Sequence, residues 1–190
     1  LWFYKNQYSE ERERGYGFHE DLYRVGYFST SLKKGKSLIF SASIQEEVSS
    51  ELNDLFTNEL SVKQELSNMD AVLDRAADQF ISKTDRGTEV CAGFYWFGRW
   101  GRDTFIALPG LTIARGKIAL CIEIIDTMLE DIEGGLFTNV GVGGVKEYNS
   151  VDASLWFFWT LCELAKATGD KAAVWKKYKD KMKEILSAYR

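Results

Sequence analysis

Near residue 45 the hydrophobic pattern of this 190-residue chain changes period, which limits it to a β-rich beginning and a mainly helical remainder. Before the switch, Leu38, Phe40 and Ala42 alternate with their neighbours, the spacing of a half-buried strand. Val25–Leu32 and Ser37–Ser43 flank Lys33-Lys34-Gly35-Lys36, where Gly35 can supply a positive φ, so these runs are expected to pair as a hairpin. Leu1–Tyr8 reads as a further strand and Ser9–Arg14 as a charged loop. The opening Leu1-Trp2-Phe3-Tyr4, without Met, is expected of a piece of a longer polypeptide.

After the switch the spacing is helical. Leu52, Leu55, Phe56 and Leu60 recur on one face, and Asp70–Ser82 continues with Leu73, Ala76, Ala77 and Phe80 behind an Asn68 cap. Thr104–Ala114 is a third expected helix, kinked or restarted at Pro109. Lys117–Ile132 carries a continuous apolar stripe between Gly116 and Gly134-Gly135. Asp152–Ala167 is apolar nearly all round, which predicts burial on every side, and Ala172–Tyr189 closes the chain as an amphipathic helix. No βαβ alternation is visible, and short connections favour antiparallel helical hairpins. The domain reading is residues 1–45 as the last strands of a β domain and 46–190 as a helical domain.

Composition narrows the function. A formal charge of −4, with Lys and Arg scattered, argues against a nucleic-acid partner. No apolar run reaches the roughly 18 residues of a membrane span, and no signal peptide is visible. Cys91, Cys121 and Cys162 are widely spaced and odd in number, so they read as buried thiols in a reducing, cytoplasmic compartment. The single histidine, His19, makes a His-based metal site or a Ser-His-Asp triad a poor fit, and no metal or organic cofactor is implied. Aromatic residues reach 14%, which suits sugar stacking and a large core alike.

Two stretches are rich in groups that a packed core uses poorly. In Phe94-Tyr95-Trp96-Phe97-Gly98-Arg99-Trp100-Gly101-Arg102-Asp103, a guanidinium and a carboxylate adjoin at an expected helix start. Arg102 and Asp103 can bond neighbouring hydroxyls of one sugar, with Trp96 or Trp100 as a stacking wall. Equally, Asp103 can cap the helix, Arg102 can pair with it, and the tryptophans can fill core. In Tyr148-Asn149-Ser150-Val151-Asp152-Ala153-Ser154-Leu155-Trp156, one acid opens the most apolar helix. Leu155 and Trp156 share its face, and desolvation there would keep Asp152 protonated, as a glycosidase general acid requires. The helix N-terminus opposes that shift, and capping is the competing role.

Together the two stretches resemble the amylo-α-1,6-glucosidase domain of glycogen-debranching enzymes. Trp96 to Ile106 resembles that family's tryptophan–glycine–arginine–aspartate signature, and Tyr148 to Phe157 its second signature, with Gly135-Leu136-Phe137 between. The region from Gly15 through the Lys33–Ser43 turn resembles the end of the β-sandwich domain that precedes the helices. The resemblance implies a mainly α fold, part of an (α/α) toroid of helical hairpins, that removes α-1,6-linked glucose stubs from glycogen-like glucans with inversion. It places Asp152 as general acid, Arg102 and Asp103 on the terminal glucose, and Trp96, Trp100, Tyr148, Asn149 and Trp156 around the pocket. Tyr95 and Thr138 stand where the family often has proline, and Val140 where it often has arginine.

An inverting site also needs a general base roughly 6.5–9.5 Å from the acid. Glu123, Glu130 and Glu147 lack the family's context for one, so the base is expected beyond Arg190 and the chain alone is expected to be inactive. A toroid glycosidase for another α-glucoside, or a catalytically incomplete sugar-binding domain, are the alternatives. A half-ring would leave Trp175, Tyr178 and Ile185 without a partner, which predicts self-association.

Overall fold

The structure is a computed structural model that describes residues 1–43, 49–64, 68–93, 97–139 and 146–190. It separates into two compact units, Leu1–Val62 and Lys63–Arg190. The described residues are mainly helical, with two small antiparallel sheets.

In the first unit, β1 (Trp2–Gln7) pairs antiparallel with β2 (His19–Tyr23), bringing Trp2 opposite Tyr23 and Gln7 opposite His19. The register shifts between Phe3 and Asn6, where Lys5 adopts φ 52° and its backbone N–H donates to Asp21 Oδ1 at 2.8 Å. The expected charged loop is instead a short helix, α1 (Ser9–Glu13), with Glu10 and Glu11 in its first turn, where the helix dipole favours anions. The expected hairpin is only half right. Gly35 has φ 79° and Lys36 N–H bonds Lys33 O at 3.0 Å, so the turn forms. The arms, however, build no strand ladder, and the Phe28 and Phe40 rings meet edge to face at 5.4 Å. Val25, Tyr27 and Phe28 are all more than 80% exposed, and two strands without a surface to cover are marginal in water. A turn of 3₁₀ helix at Ser49–Glu51 leads into α2 (Leu52–Gln64), as the spacing predicts.

The second unit begins with α3 (Met69–Asp78), capped by Asn68, whose side chain accepts from Ala71 N–H at 2.8 Å. The helix was expected to reach Ser82; it stops four residues earlier, and a meander follows. This comprises β3 (Ile81–Thr84), β4 (Gly87–Gly93) and β5 (Phe97–Arg99). Gly87 turns the first corner at φ 132°, and a Cβ there would lie 2.4 Å from Thr127 Oγ1.

Four helices then carry the core: α4 (Gly101–Leu111), α5 (Ile118–Leu129), α6 (Asp152–Thr168) and α7 (Lys171–Ala188), with a 3₁₀ turn at Ile113–Arg115. Phe105 of α4, Phe137 of the α5–α6 connection and Phe157 of α6 form a closed aromatic triangle with centroids 4.7–5.5 Å apart. Pro109 neither ends nor restarts α4. Having no N–H, it leaves the Phe105 carbonyl without its usual partner four residues on, and Thr160 Oγ1 of α6 donates to that carbonyl at 2.9 Å.

Helix α6 is not buried all round: Leu155 and Trp159 are exposed, as is Cys162, against the expectation of buried thiols. Nor are Tyr178 and Ile185 left unpartnered; both belong to the core, and only Trp175 of that trio is exposed. Among the described residues no helix is long and apolar enough to cross a membrane.

Candidate functional site

The start of α4 and the start of α6 meet. Gly101 permits it, because a Cβ there would sit 2.6 Å from the Thr138 carbonyl and 3.5 Å from the Ala153 side chain. Gly101 N–H also donates to Asn139 O at 3.2 Å, fastening the first turn of α4 to the α5–α6 connection. Across this junction Arg102 Nη1 lies 3.6 Å from Asp152 Oδ2, with both side chains nearly half exposed. Ser150 is buried and donates its hydroxyl to the other carboxylate oxygen, Oδ1, at 2.5 Å.

These contacts correct two expectations. Arg102 does not pair with its neighbour Asp103, and Asp103 is not the cap of α4. The helix begins at Gly101 after Trp100, which makes no side-chain cap bond. Nor is Asp152 protonated by desolvation. The Ser150 hydroxyl first, then the Arg102 guanidinium, hold its carboxyl below the usual range despite some opposing burial. Leu155, expected to dry it, is itself exposed. In this state Asp152 is an anion at neutral pH.

Asp103 follows Arg102 by about 100° around the helix, and it lines a cavity of about 300 Å³ with Phe80, Val90, Cys91 and Leu111. Trp100 is half buried, its ring edge-on to Phe97 at 6.2 Å, and its Nε1 has no hydrogen-bond partner among the described residues. Trp96, named beside it, lies outside the described residues, as does Tyr95. Trp156 stands one turn beyond Asp152, its ring perpendicular to Trp159 at 5.4 Å. Tyr148 is half exposed. Asn149 braces its own loop: it accepts from Asn139 Nδ2 at 2.8 Å and donates to Glu147 Oε2 at 2.9 Å. Of the acids weighed as a base, Glu123 accepts from Thr88 and Glu147 from Asn149. Among the described residues no cluster of three or more His, Cys, Asp or Glu is placed to hold a metal ion.

Three features escaped the sequence. Ser150 lies inside the second signature and its hydroxyl is the donor to Asp152. Tyr189, at the end of α7, donates to the Val151 carbonyl just before Asp152, at a separation of 38 residues that no local pattern reports. Asp131, after α5, is the third. Its side chain is only 4% exposed and receives Arg86, Arg99 and Lys146, the lysine at 2.7 Å, while Arg99 also meets Glu89 at 3.0 Å. Burial alone would raise the Asp131 pKa, but hydrogen bonds from the three cations override it and hold the carboxyl far below the usual range. This cluster ties the meander to α5 and to the stem of the loop that delivers Tyr148–Asp152.

Residues 75–190 match the family model described as Amylo-alpha-1,6-glucosidase, and residues 1–39 match the one described as Glycogen debranching enzyme N terminal. The class is therefore that of glycoside hydrolases of the glycogen-debranching type. Within it, the chain belongs to the amylo-α-1,6-glucosidase family. No solved structure matches the chain.

Proposed function

We propose that this chain carries the acid side of an inverting α-1,6-glucosidase site, on the first part of an (α/α) toroid that follows the end of a β domain near residue 45. The supporting observation is the approach of Arg102 to Asp152 at 3.6 Å, which unites the two signatures across 50 residues of sequence. Asp152 is the proton donor to the glycosidic oxygen. Arg102 and Asp103 hold the terminal glucose, and Trp96, Trp100, Tyr148, Asn149 and Trp156 wall the pocket.

The anionic resting state of Asp152 fixes an order of events. A carboxylate paired with a guanidinium cannot donate a proton. A glucose whose hydroxyls take over Arg102, and whose ring excludes water, removes that pair and raises the carboxyl's affinity for a proton. The general base comes from a part of the toroid outside these residues. The ligand is a branched α-glucan, and the three free cysteines support a reducing, cytoplasmic setting. Exposed Leu155, Trp159 and Trp175 support self-association of the chain as it stands.

The test is Asp152→Asn in the complete polypeptide that carries this sequence. Glucose release from a branched limit dextrin should fall by roughly a thousandfold or more while the fold is kept. Near-native turnover would refute the role. A panel of α-glucosides tests the linkage.

The second reading, a sugar-binding domain without chemistry, draws on the same ion pair. A carboxylate and a guanidinium side by side grip hydroxyls without needing a proton. On that reading Asp152→Asn weakens binding of the dextrin and no turnover exists to lose.

A further inference from the structure

We propose that Ser150 is a positioning residue that commits the Asp152 carboxyl to work through Oδ2 alone. The inference rests on the reading of Asp152 as proton donor. Ser150 is 5% exposed between two exposed neighbours, Asn149 and Val151, so its side chain is turned inward. Its hydroxyl donates to Oδ1, with the two oxygens 2.5 Å apart. An Oδ1 that accepts this bond is made less basic than Oδ2, which has no such donor. The proton therefore belongs on Oδ2, the oxygen that faces the half-exposed Arg102 guanidinium at 3.6 Å.

The backbone beneath is fixed as well. Val151, between Ser150 and Asp152, has helical φ and ψ of −71° and −36°, and Tyr189 of α7 donates to its carbonyl. Without the serine hydroxyl, the carboxyl would turn about its Cβ–Cγ bond and present either oxygen. A misplacement of about 1 Å at a reacting group can cost roughly a hundredfold in rate.

Among the described residues, the groups at the carboxyl are Arg102 from α4, Ser150 from its own loop and the Asp152 backbone N–H, with Glu147 tied to Asn149 just before it and the Tyr189 hydroxyl, just past α7, committed to Val151. Ser150 is also the first cause of the low Asp152 pKa, ahead of Arg102. Removing the hydroxyl should raise the carboxyl's titration midpoint even though the ion pair remains.

The experiment titrates Asp152 directly, by carbon-13 NMR of Asp-labelled chain assigned with Asp152→Asn, in wild type, Ser150→Ala and Ser150→Thr. The midpoint should rise in Ser150→Ala and stay at the wild-type value in Ser150→Thr, which keeps the hydroxyl. Should the alanine variant unfold, Ser150→Cys, with its weaker donor, should also raise the midpoint. An unmoved midpoint in the folded alanine or cysteine variant overturns the proposal, because a serine that only fills space would change melting and not titration. In the complete polypeptide, Ser150→Ala should lower kcat roughly ten- to hundredfold, with little change in KM, and move the basic limb of the kcat–pH profile upward. Wild-type kcat and an unmoved limb in Ser150→Ala, with Asp152→Asn inactive, sinks the proposal and spares the acid assignment. An active Asp152→Asn sinks the assignment on which the proposal stands.

Discussion

Asp131 and Asp152 both face arginine, yet they are held in opposite ways. Asp131 is buried under three cations that leave it no freedom, whereas Asp152 is nearly half exposed, with one hydroxyl on Oδ1 and one guanidinium 3.6 Å from Oδ2. The first arrangement joins secondary-structure elements. The second leaves a carboxylate whose charged partner is half exposed and can move away into water. The difference teaches that charge pairing alone does not mark a site; what matters is whether the pair can part without exposing a buried ion.

The sharpest way to break this contrast is Asp131→Asn. Of the three partners of Asp131 only Arg99 is buried, and removing the carboxylate leaves that guanidinium with Glu89 alone, so the expected loss is about 3 kcal/mol in denaturant unfolding. A loss below about 1 kcal/mol would put Asp131 in the same class as an exposed pair. The pH dependence sharpens the point. The folded-state pKa of Asp131 is depressed, so its contribution is full above the unfolded value near 4 and is lost as pH falls through the folded midpoint. The stability gap between wild type and Asp131→Asn should be widest near neutrality and close only in strong acid, as followed by denaturant titrations across pH.

A smaller effect tests the scaffold that aligns the Asp152 pair. Thr160→Val should cost about 1–3 kcal/mol, because it leaves the buried Phe105 carbonyl unsatisfied. Adding Pro109→Ala to it restores a backbone N–H four residues along and should recover part of that loss in the same melts. Smallest is Arg102→Ala, which should change stability by less than about 1 kcal/mol, because it removes a half-exposed pair. A larger loss would mean that the pair is structural, and the contrast with Asp131 would fail.

Much of the second unit was legible because its helices obey one period. The stripe from Ile118 to Ile132 needed only spacing, and Asn68 announced its cap. The meander was missed since β3 to β5 are short and Phe80 and Ile81 prolong the helical pattern of α3; the Asp85-Arg86-Gly87 corner was the available signal. The outer face of α6 was misjudged because apolar content reports a capacity for burial rather than a partner. At the site, the motifs named Arg102 and Asp152 but not their contact. Helical rotation separates Arg102 from Asp103, and only tertiary packing brings it to a residue 50 positions away. The protonation of Asp152 was misread because Ser150, two residues before it, was given no role, and its hydroxyl meets the carboxyl only once the chain is folded. The Asp131 cluster joins residues 32 and 45 positions apart, so no local pattern could have shown it.

Proline within a helix is ordinarily counted as damage. In α4 the gap that Pro109 leaves behaves as a keyway. One threonine on α6 fits it, and sliding α6 along α4 by a single residue would carry that hydroxyl out of reach. The two helix starts that hold Arg102 and Asp152 are thereby set at matching height from a point in the dry interior, away from any contact with sugar. On the proposed function, a bound glucose would exchange the partners of that pair while the alignment beneath stays unchanged.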